Sequence, residues 1–338
     1  LPEKAPTMAK RTNILDFPLD EILLGIRKND RVMLGRAITL IESRHPSHQV
    51  KGNQILSALM KDPRPTFRIA ISGSPGVGKS TFIEQLGIHL IEKGHKVAVL
   101  SIDPSSDVNS GSILGDKTRM ERLSIHPSAF IRPSPAGDFL GGIAWRTREA
   151  ITLCEAAGYD IVIVETVGVG QSEFKVRNMV DCFFLLLAPG GGDELQGIKK
   201  GIVEIADIIA VNKCDGDLQK AAESTRKEYS QAIHLSPAKS NGWSQKVINT
   251  SGITGNGIPE AWELILAFQN MVQENKWLDK NRQEQKIIWF KERLAIAIHQ
   301  YVDGLSSKEE IAELEKEIKE GNIDPIKGVD QVMKKIRS

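Results

Sequence analysis

The sequence predicts an α/β fold with a doubly wound, mostly parallel sheet, preceded by a helical extension and followed by a helical arm. Near-continuous apolar runs recur in FRIAIS, KVAVLSID, DIVIVET, CFFLLLAP and IIAVNKCD, which is how strands covered on both faces read. Helical intervals such as Ser80 to Glu92 and Trp145 to Ala157 separate several of them, favouring right-handed crossovers within one sheet. Glycines and acids follow the runs at the carboxyl ends of the strands, where such sheets place ligands.

Before the first run, Ile22, Leu23 and Ile26, then Met33, Leu34, Ala37, Ile38 and Ile41, recur at three- and four-residue spacing, and Ile55, Leu56 and Leu59 follow a break at Pro46. These predict two or three helices over 1–65. The sheet domain spans 66–258. A helical region, 259–338, completes the chain: Ala261, Trp262, Leu264, Ile265 and Phe268 share faces of one helix, and Ile287, Ile288, Phe290, Leu294 and Ile298 those of another. Trp262, Trp277 and Trp289 fit either an intersubunit surface or the chain's own core, and periodicity leaves both open. The final segment reads as two short amphipathic helices around a turn.

The 338 residues carry 44 basic and 43 acidic side chains, so no whole-chain field draws in nucleic acid or acidic lipid. No partnership with nucleic acid or membrane is expected, since there is neither a dense basic run nor an apolar run of about eighteen residues. Cys154 and Cys182 lie in apolar surroundings and read as buried small hydrophobes, which with Cys214 favours a reducing compartment and no zinc cluster. The opening LPEKAPTMAK lacks a signal-peptide hydrophobic region and begins without Met, suggesting a processed or trimmed chain.

The chemistry concentrates in GSPGVGKS, Gly73 to Ser80, which has the full G-x-x-x-x-G-K-S spacing of a phosphate loop between a strand and a helix. Gly73, Gly76 and Gly78 permit tight turns, and amides from Val77 through Thr81 can face phosphate oxygens near the helix start. Lys79 can neutralise the outer phosphates and Ser80 can coordinate Mg2+. Asp103 and Glu165 end apolar strands, so each can hold the metal directly or through water, or position the attacking water. Gly168 in TVGVG is small enough for its amide to sense the terminal phosphate, while Gln171 stands three residues further on and receives no catalytic role.

NKCD, Asn212 to Asp215, follows the last recognisable strand. The Asp215 carboxylate matches the two N–H donors on one edge of guanine, a pair that adenine does not offer. Asn212 can brace the loop and Lys213 can cover the base with its aliphatic stem. Ser251 and Gly252, in NTSGITGNG, stand where a second base-contacting loop is expected. GTP and GDP are therefore the expected substrate and product, with Mg2+ as cofactor. Gly190 to Gly192 next to Asp193-Glu194 and Lys199-Lys200 reads either as a mobile element with exchangeable charge pairs or as an ordinary loop entering a helix.

Four long strings, DPSSDVNSGSILGDKTRM, LCEAAGYDIVIVETVGVGQSE, GGGDELQGIKKG and NKCDGD, resemble the MeaB/MMAA/ArgK-type P-loop GTPases. The resemblance runs from about Leu23 to Trp262. It implies a P-loop NTPase core whose C-terminal helical arm supports a homodimer. It also implies a GTP-hydrolysing chaperone that gates cobalamin loading and protects or reactivates an adenosylcobalamin-dependent acyl-CoA mutase, methylmalonyl-CoA mutase first among them. In its pattern Gly73 to Thr81 hold phosphates, Lys79, Asp103, Glu165 and Gly168 serve catalysis, and Ser80, Asp103 and Glu165 organise Mg2+. Asn212, Lys213, Asp215, Ser251 and Gly252 hold guanine, and Asp193, Glu194, Lys199 and Lys200 form a partner switch. The implied location is the cytoplasm of a bacterium or the mitochondrial matrix of a eukaryote. The chain departs from the family pattern at Asp107, Asn109, Ser110, Trp145 and Gly252. Two other readings share the phosphate loop: a small-molecule or protein kinase, and a nucleotide-dependent adaptor for another metalloenzyme.

Overall fold

Every second side chain of a buried strand turns to the same face, so a run that is apolar throughout needs cover on both sides. The computed structural model describes residues 13–43, 45–103, 120–135, 142–166, 172–190, 200–234, 239–305 and 308–337, and it meets that need with two hydrophobic clusters. Among the described residues seven parallel strands form one sheet: β1 (Phe67–Gly73), β2 (Val97–Asp103), β3 (Ala129–Pro135), β4 (Ile161–Thr166), β5 (Cys182–Leu187), β6 (Ile208–Val211) and β7 (Lys246–Asn249). Their order is β3-β2-β4-β1-β5-β6-β7.

Among the described residues three α-helices precede the sheet: α1 (Leu19–Arg27), α2 (Arg31–Glu42) and α3 (Pro46–Leu59). The Asp30 carboxylate caps α2 by accepting from the amides of Val32 and Met33, and Pro46 opens α3 at a position with no helical N–H to lose. Their buried Ile22, Ile26, Leu34, Ile38, Ile55 and Leu59 share a cluster with Ala70, Ala98 and Val164 of the sheet and with Ile151 and Cys154 of α6 (Gly142–Ala156). On the opposite face α4 (Lys79–Glu92) and α10 (Ile258–Glu274) bring Phe82, Leu86, Trp262 and Phe268 against Ile69, Ile71, Val99, Ile163 and Phe184. The other α-helices among the described residues of this part are α5 (Glu121–Ile125), α7 (Ser172–Arg177), α8 (Lys200–Ile205) and α9 (Gln219–His234).

The expectation that IIAV is the last strand is corrected, because β7 adds KVIN beside it. The sequence reading also passed over β3, AFIRPSP, whose Pro133 and Pro135 pair in register with Ser101 and Asp103. Both are edge strands, where a proline's missing donor can face away from the ladder and one partner suffices, so neither shows the uniform apolar run of an interior strand. Trp262 is 2% exposed and edge-packed on His95, which places it in the chain's own core and not at a subunit surface.

Contacts group the chain into two compact units, 1–283 and 284–338. α11 (Trp277–Leu305) begins in the first and continues into the second, where α12 (Lys308–Lys319) and α13 (Pro325–Arg337) follow as the two amphipathic helices expected. Within the first unit Arg282 is bound bidentately to Asp181, at 3.0 and 2.7 Å, and also donates to the carbonyl of Thr66. Asp181 has no exposure and accepts from the amide of Arg68 at 2.8 Å as well. This pair fixes the start of α11 at the end of the sheet opposite the phosphate loop. No described helix is long and apolar enough to cross a membrane.

Candidate nucleotide site

β1 ends in the phosphate loop because three glycines allow a path that a side chain would obstruct. A Cβ on Gly73 would run into the carbonyl oxygen of Leu186, and Gly76 and Gly78 take φ of 78° and 93°. Gly78 caps α4, whose first turn carries Lys79 and Ser80, so the positive end of the helix opens at the loop. Lys79 is 9% exposed and donates to the carbonyls of Gly73 at 2.9 Å and Ser74 at 3.0 Å. Burial pushes its ammonium below the ordinary lysine range, while the carboxylates of Glu165 and Glu173 pull it back up. The Val77 side chain is buried, and its N–H donates to the Ser74 carbonyl at 3.3 Å.

Strand register gathers the acids. Ile71 of β1, Glu165 of β4 and Ser101 of β2 lie level on three consecutive strands, and Gly73 and Asp103 each stand two residues further toward the carboxyl edge. Glu165 is 7% exposed and accepts from the Ser101 hydroxyl at 2.9 Å. Just beyond it the Thr166 hydroxyl donates to that of Ser72 at 2.8 Å, tying β4 to β1. The Ser80 hydroxyl and the Glu165 carboxylate, on neighbouring elements, are oxygen groups of the kind a hard divalent cation such as Mg2+ takes. Asp103 is described only through its backbone, which closes β2. Among the described residues no cluster of three or more His, Cys, Asp or Glu side chains forms a separate metal centre.

The loops that follow β6 and β7 are stapled to the phosphate loop by the buried amide of Asn212. Asn212, just past β6, donates through Nδ2 to the carbonyl of Val77 at 2.9 Å, and its Oδ1 accepts from the amide of Gly252 at 3.1 Å and the hydroxyl of Thr250 at 3.3 Å. A Cβ on Gly78 would sit 2.7 Å from Asn212 Nδ2, so the glycine also makes room for this staple. Lys213 takes the left-handed φ of 61°, which re-aims the chain between Asn212 and Asp215. Ser251 donates to Asp215 Oδ1 at 2.7 Å and so orients the carboxylate. Gly252 packs on α4: its Cβ would lie 3.0 Å from the amide nitrogen of Phe82 and 3.2 Å from the carbonyl carbon of Thr81.

The structure thus brings together Gly73, Gly76, Val77, Gly78, Lys79, Ser80 and Thr81 with Glu165, Asn212, Lys213, Asp215, Ser251 and Gly252, all at the carboxyl edge of the sheet. Gly168, Asp193, Glu194 and Lys199 lie outside the described residues, as do Asp107, Asn109 and Ser110, and Lys200 is described only as the backbone opening α8. Sequence reasoning missed Ser101, although a serine interrupting the apolar run KVAVLSID is a signal that something polar lies beside it. It also missed Glu173, 1% exposed, whose charge acts on Lys79.

A family model described as the methylmalonyl Co-A mutase-associated GTPase MeaB matches residues 34–306. The GTPase ArgK of Escherichia coli is 48% identical over 280 residues, covering 83% of this chain and 85% of its own. The mouse methylmalonic aciduria type A homolog, mitochondrial, is 42% identical over 331 residues, covering 95% and 80%. Among solved structures, that of LAO/AO transport system kinase superposes with a TM-score of 0.72 at 37% identity, covering 95% of this chain and 98% of the other. The chain belongs to the MeaB/MMAA/ArgK family of P-loop GTPases, GTP-hydrolysing chaperones associated with methylmalonyl-CoA mutase and related acyl-CoA mutases.

Proposed function

We propose that the chain binds Mg2+ and GTP at this carboxyl edge and uses hydrolysis to time cobalamin loading into an adenosylcobalamin-dependent mutase, which it also protects or reactivates. Methylmalonyl-CoA mutase is the first partner to test. The observation that carries the reading is the Asn212 staple, which holds a guanine-type acid loop and a phosphate loop in one rigid unit. Gly73 to Thr81 bind the phosphates. Asp215, oriented by Ser251, accepts from the guanine edge, and Lys213 and Gly252 flank the base. Ser80, Asp103 and Glu165 hold the cation, which supplies charge neutralisation at the phosphate oxygens when bound. Lys79 adds a second positive charge there, and the Gly168 amide senses the terminal phosphate. No side chain of this group is assigned as a general base; positioning and electrostatics supply the catalysis.

Asp193, Glu194, Lys199 and Lys200 provide the charges that exchange partners on mutase contact. Homodimerisation uses α11, on which Ile287, Phe290, Leu294, Ile298 and Tyr301 are all exposed and recur every three or four residues along one face. A second copy presents the same stripe, so a two-fold interface covers both. Such a chain works in the mitochondrial matrix of a eukaryote, since its mouse and nematode relatives are named mitochondrial, or in the cytoplasm of a bacterium.

Phosphate release from Mg-GTP, measured with and without a purified mutase, tests the proposal. Slow turnover that the mutase accelerates is expected; no acceleration and no complex in any nucleotide state overturns it. The likeness to LAO/AO transport system kinase favours one second reading, transfer of the phosphoryl group to an acceptor. Free phosphate and a labelled acceptor, followed in the same reaction, separate the two.

A further inference from the structure

A hydroxyl buried in the middle of a sheet costs stability unless it has a partner, and β2 carries one. Ser101 is 1% exposed, in a strand whose Val97, Ala98, Val99, Leu100 and Ile102 are all buried. β2 lies between β3 and β4, so the two ladders take up its backbone groups and leave the Ser101 hydroxyl to another task. Its single proton goes to Glu165 Oε2 at 2.9 Å. Glu165 stands level with Ser101 on one side and with Ile71 on the other. Ile71 belongs to the cluster that α4 covers, and residues level across a parallel sheet share a face, so the Ser101–Glu165 pair lies on the α4 side.

That side carries the lysine of the phosphate loop. Burial sets the charge of Lys79 at a disadvantage, and the Glu165 carboxylate is the first group that offsets it. β4 runs between β2 and β1, so Glu165 has the Ser101 hydroxyl on one flank and the strand that leads into the phosphate loop on the other. A glutamate side chain has three rotatable bonds, and a carboxylate without a fixed donor samples several directions. A donor held by a neighbouring strand sets the plane of the whole group. An alanine would fit β2 with no polar group to satisfy, so what the hydroxyl adds is a direction for the acid.

We propose that Ser101 is a positioning residue of the GTPase reaction, whose hydroxyl aims the Glu165 carboxylate at the cation bound with the phosphates of the nucleotide. The inference rests on the assignment of Ser80 and Glu165 to that cation. Loss of the hydroxyl leaves Gly73 to Thr81 untouched, so nucleotide still binds in the absence of metal. It removes the aim of Glu165, so the affinity that Mg2+ adds declines, and turnover of Mg-GTP declines with it. Partners that hold a metal-binding group in place contribute about tenfold or more to metal affinity or activity.

The test compares Ser101→Ala, Ser101→Cys, Glu165→Gln and the double variant Ser101→Ala with Glu165→Gln against the unaltered chain. Calorimetry reads the affinity for a non-hydrolysable GTP analogue in EDTA and in Mg2+, and phosphate release reads kcat and KM for Mg-GTP. Ser101→Ala should keep the EDTA affinity within about twofold and lose about tenfold of the gain that Mg2+ brings, with a matching fall in kcat/KM. Ser101→Cys keeps the bulk but has only a weak S–H donor, so it should follow Ser101→Ala and not the unaltered chain. On the Glu165→Gln background Ser101→Ala should cost less than about twofold more, because the hydroxyl acts through that acid. Equal losses in EDTA and Mg2+, a Ser101→Cys variant that behaves as the unaltered chain, or an undiminished loss on the Glu165→Gln background would each overturn the proposal. A full Mg2+ gain kept by Ser101→Ala overturns the proposal alone, whereas an unaltered chain that gains nothing from Mg2+ strikes the cation site and the proposal with it.

Discussion

Replacing Asn212 by alanine should damage fold and function together, because a single buried amide joins the two halves of the nucleotide site. The side chain is 1% exposed and makes contacts at 2.9, 3.1 and 3.3 Å to Val77, Gly252 and Thr250. A neutral hydrogen bond contributes about 1 kcal/mol net, and each buried group left without a partner costs about 1–3 kcal/mol. The Thr250 hydroxyl can rotate to another acceptor, but the Gly252 amide and the Val77 carbonyl cannot. The sum is about 3 kcal/mol, which at an unfolding entropy of about 2.1 cal/mol/K per residue lowers Tm by about 4–5 °C. GDP affinity should fall at least about tenfold, since every 1.4 kcal/mol of lost alignment is a factor of ten. Asn212→Asp keeps Oδ1 but turns an oxygen toward the Val77 carbonyl, so it should lose as much on the phosphate side. Differential scanning calorimetry and GDP titration read both effects. A Tm within about 2 °C of the unaltered chain, with unchanged GDP affinity, would refute the staple.

Asp215→Asn removes the charged acceptor for the guanine edge and should reduce the preference for GTP over ATP by about 1–3 kcal/mol in competition binding; unchanged selectivity would defeat the assignment of NKCD. Burial lowers the folded-state pKa of Lys79, so on raising pH the folded chain gives up this proton before the unfolded chain does. The unliganded protein then gains stability from this group between its folded and unfolded values, while phosphate affinity, which uses the charged form, declines across the same alkaline window. GDP titrations from neutral to alkaline pH should show that decline, and Lys79→Ala should flatten it. Arg282→Ala leaves the fully buried Asp181 without its bidentate partner and should destabilise the first unit by about 3–5 kcal/mol in urea unfolding. Phe290→Asp together with Leu294→Asp puts charges on the exposed apolar stripe of α11 and should shift sedimentation from dimer to monomer without altering GDP affinity.

The sequence by itself determined the interior of the sheet and picked out most of the residues that gather in the candidate nucleotide site. Uniform apolar runs have one stable placement, between two covering layers, and the spacing from Gly73 to Ser80 encodes a backbone shape that few other residues permit. Asp215 was legible because its loop directly follows such a run. Only the tertiary structure decided the rest, for reasons of distance along the chain. β3 and β7 escaped notice because an edge strand has a single neighbour and tolerates proline, arginine and lysine. Trp262 could not be assigned to core or interface from periodicity, which shows that a face is apolar but not what covers it. Ser101 meets Glu165, Asn212 meets Val77, and Glu84 meets Arg122 across separations of 64, 135 and 38 residues. Such contacts depend on strand order and helix docking, and neither is written in local sequence. The phosphate loop was therefore readable as a motif, whereas its attachment to the base loops and to α5 required the fold.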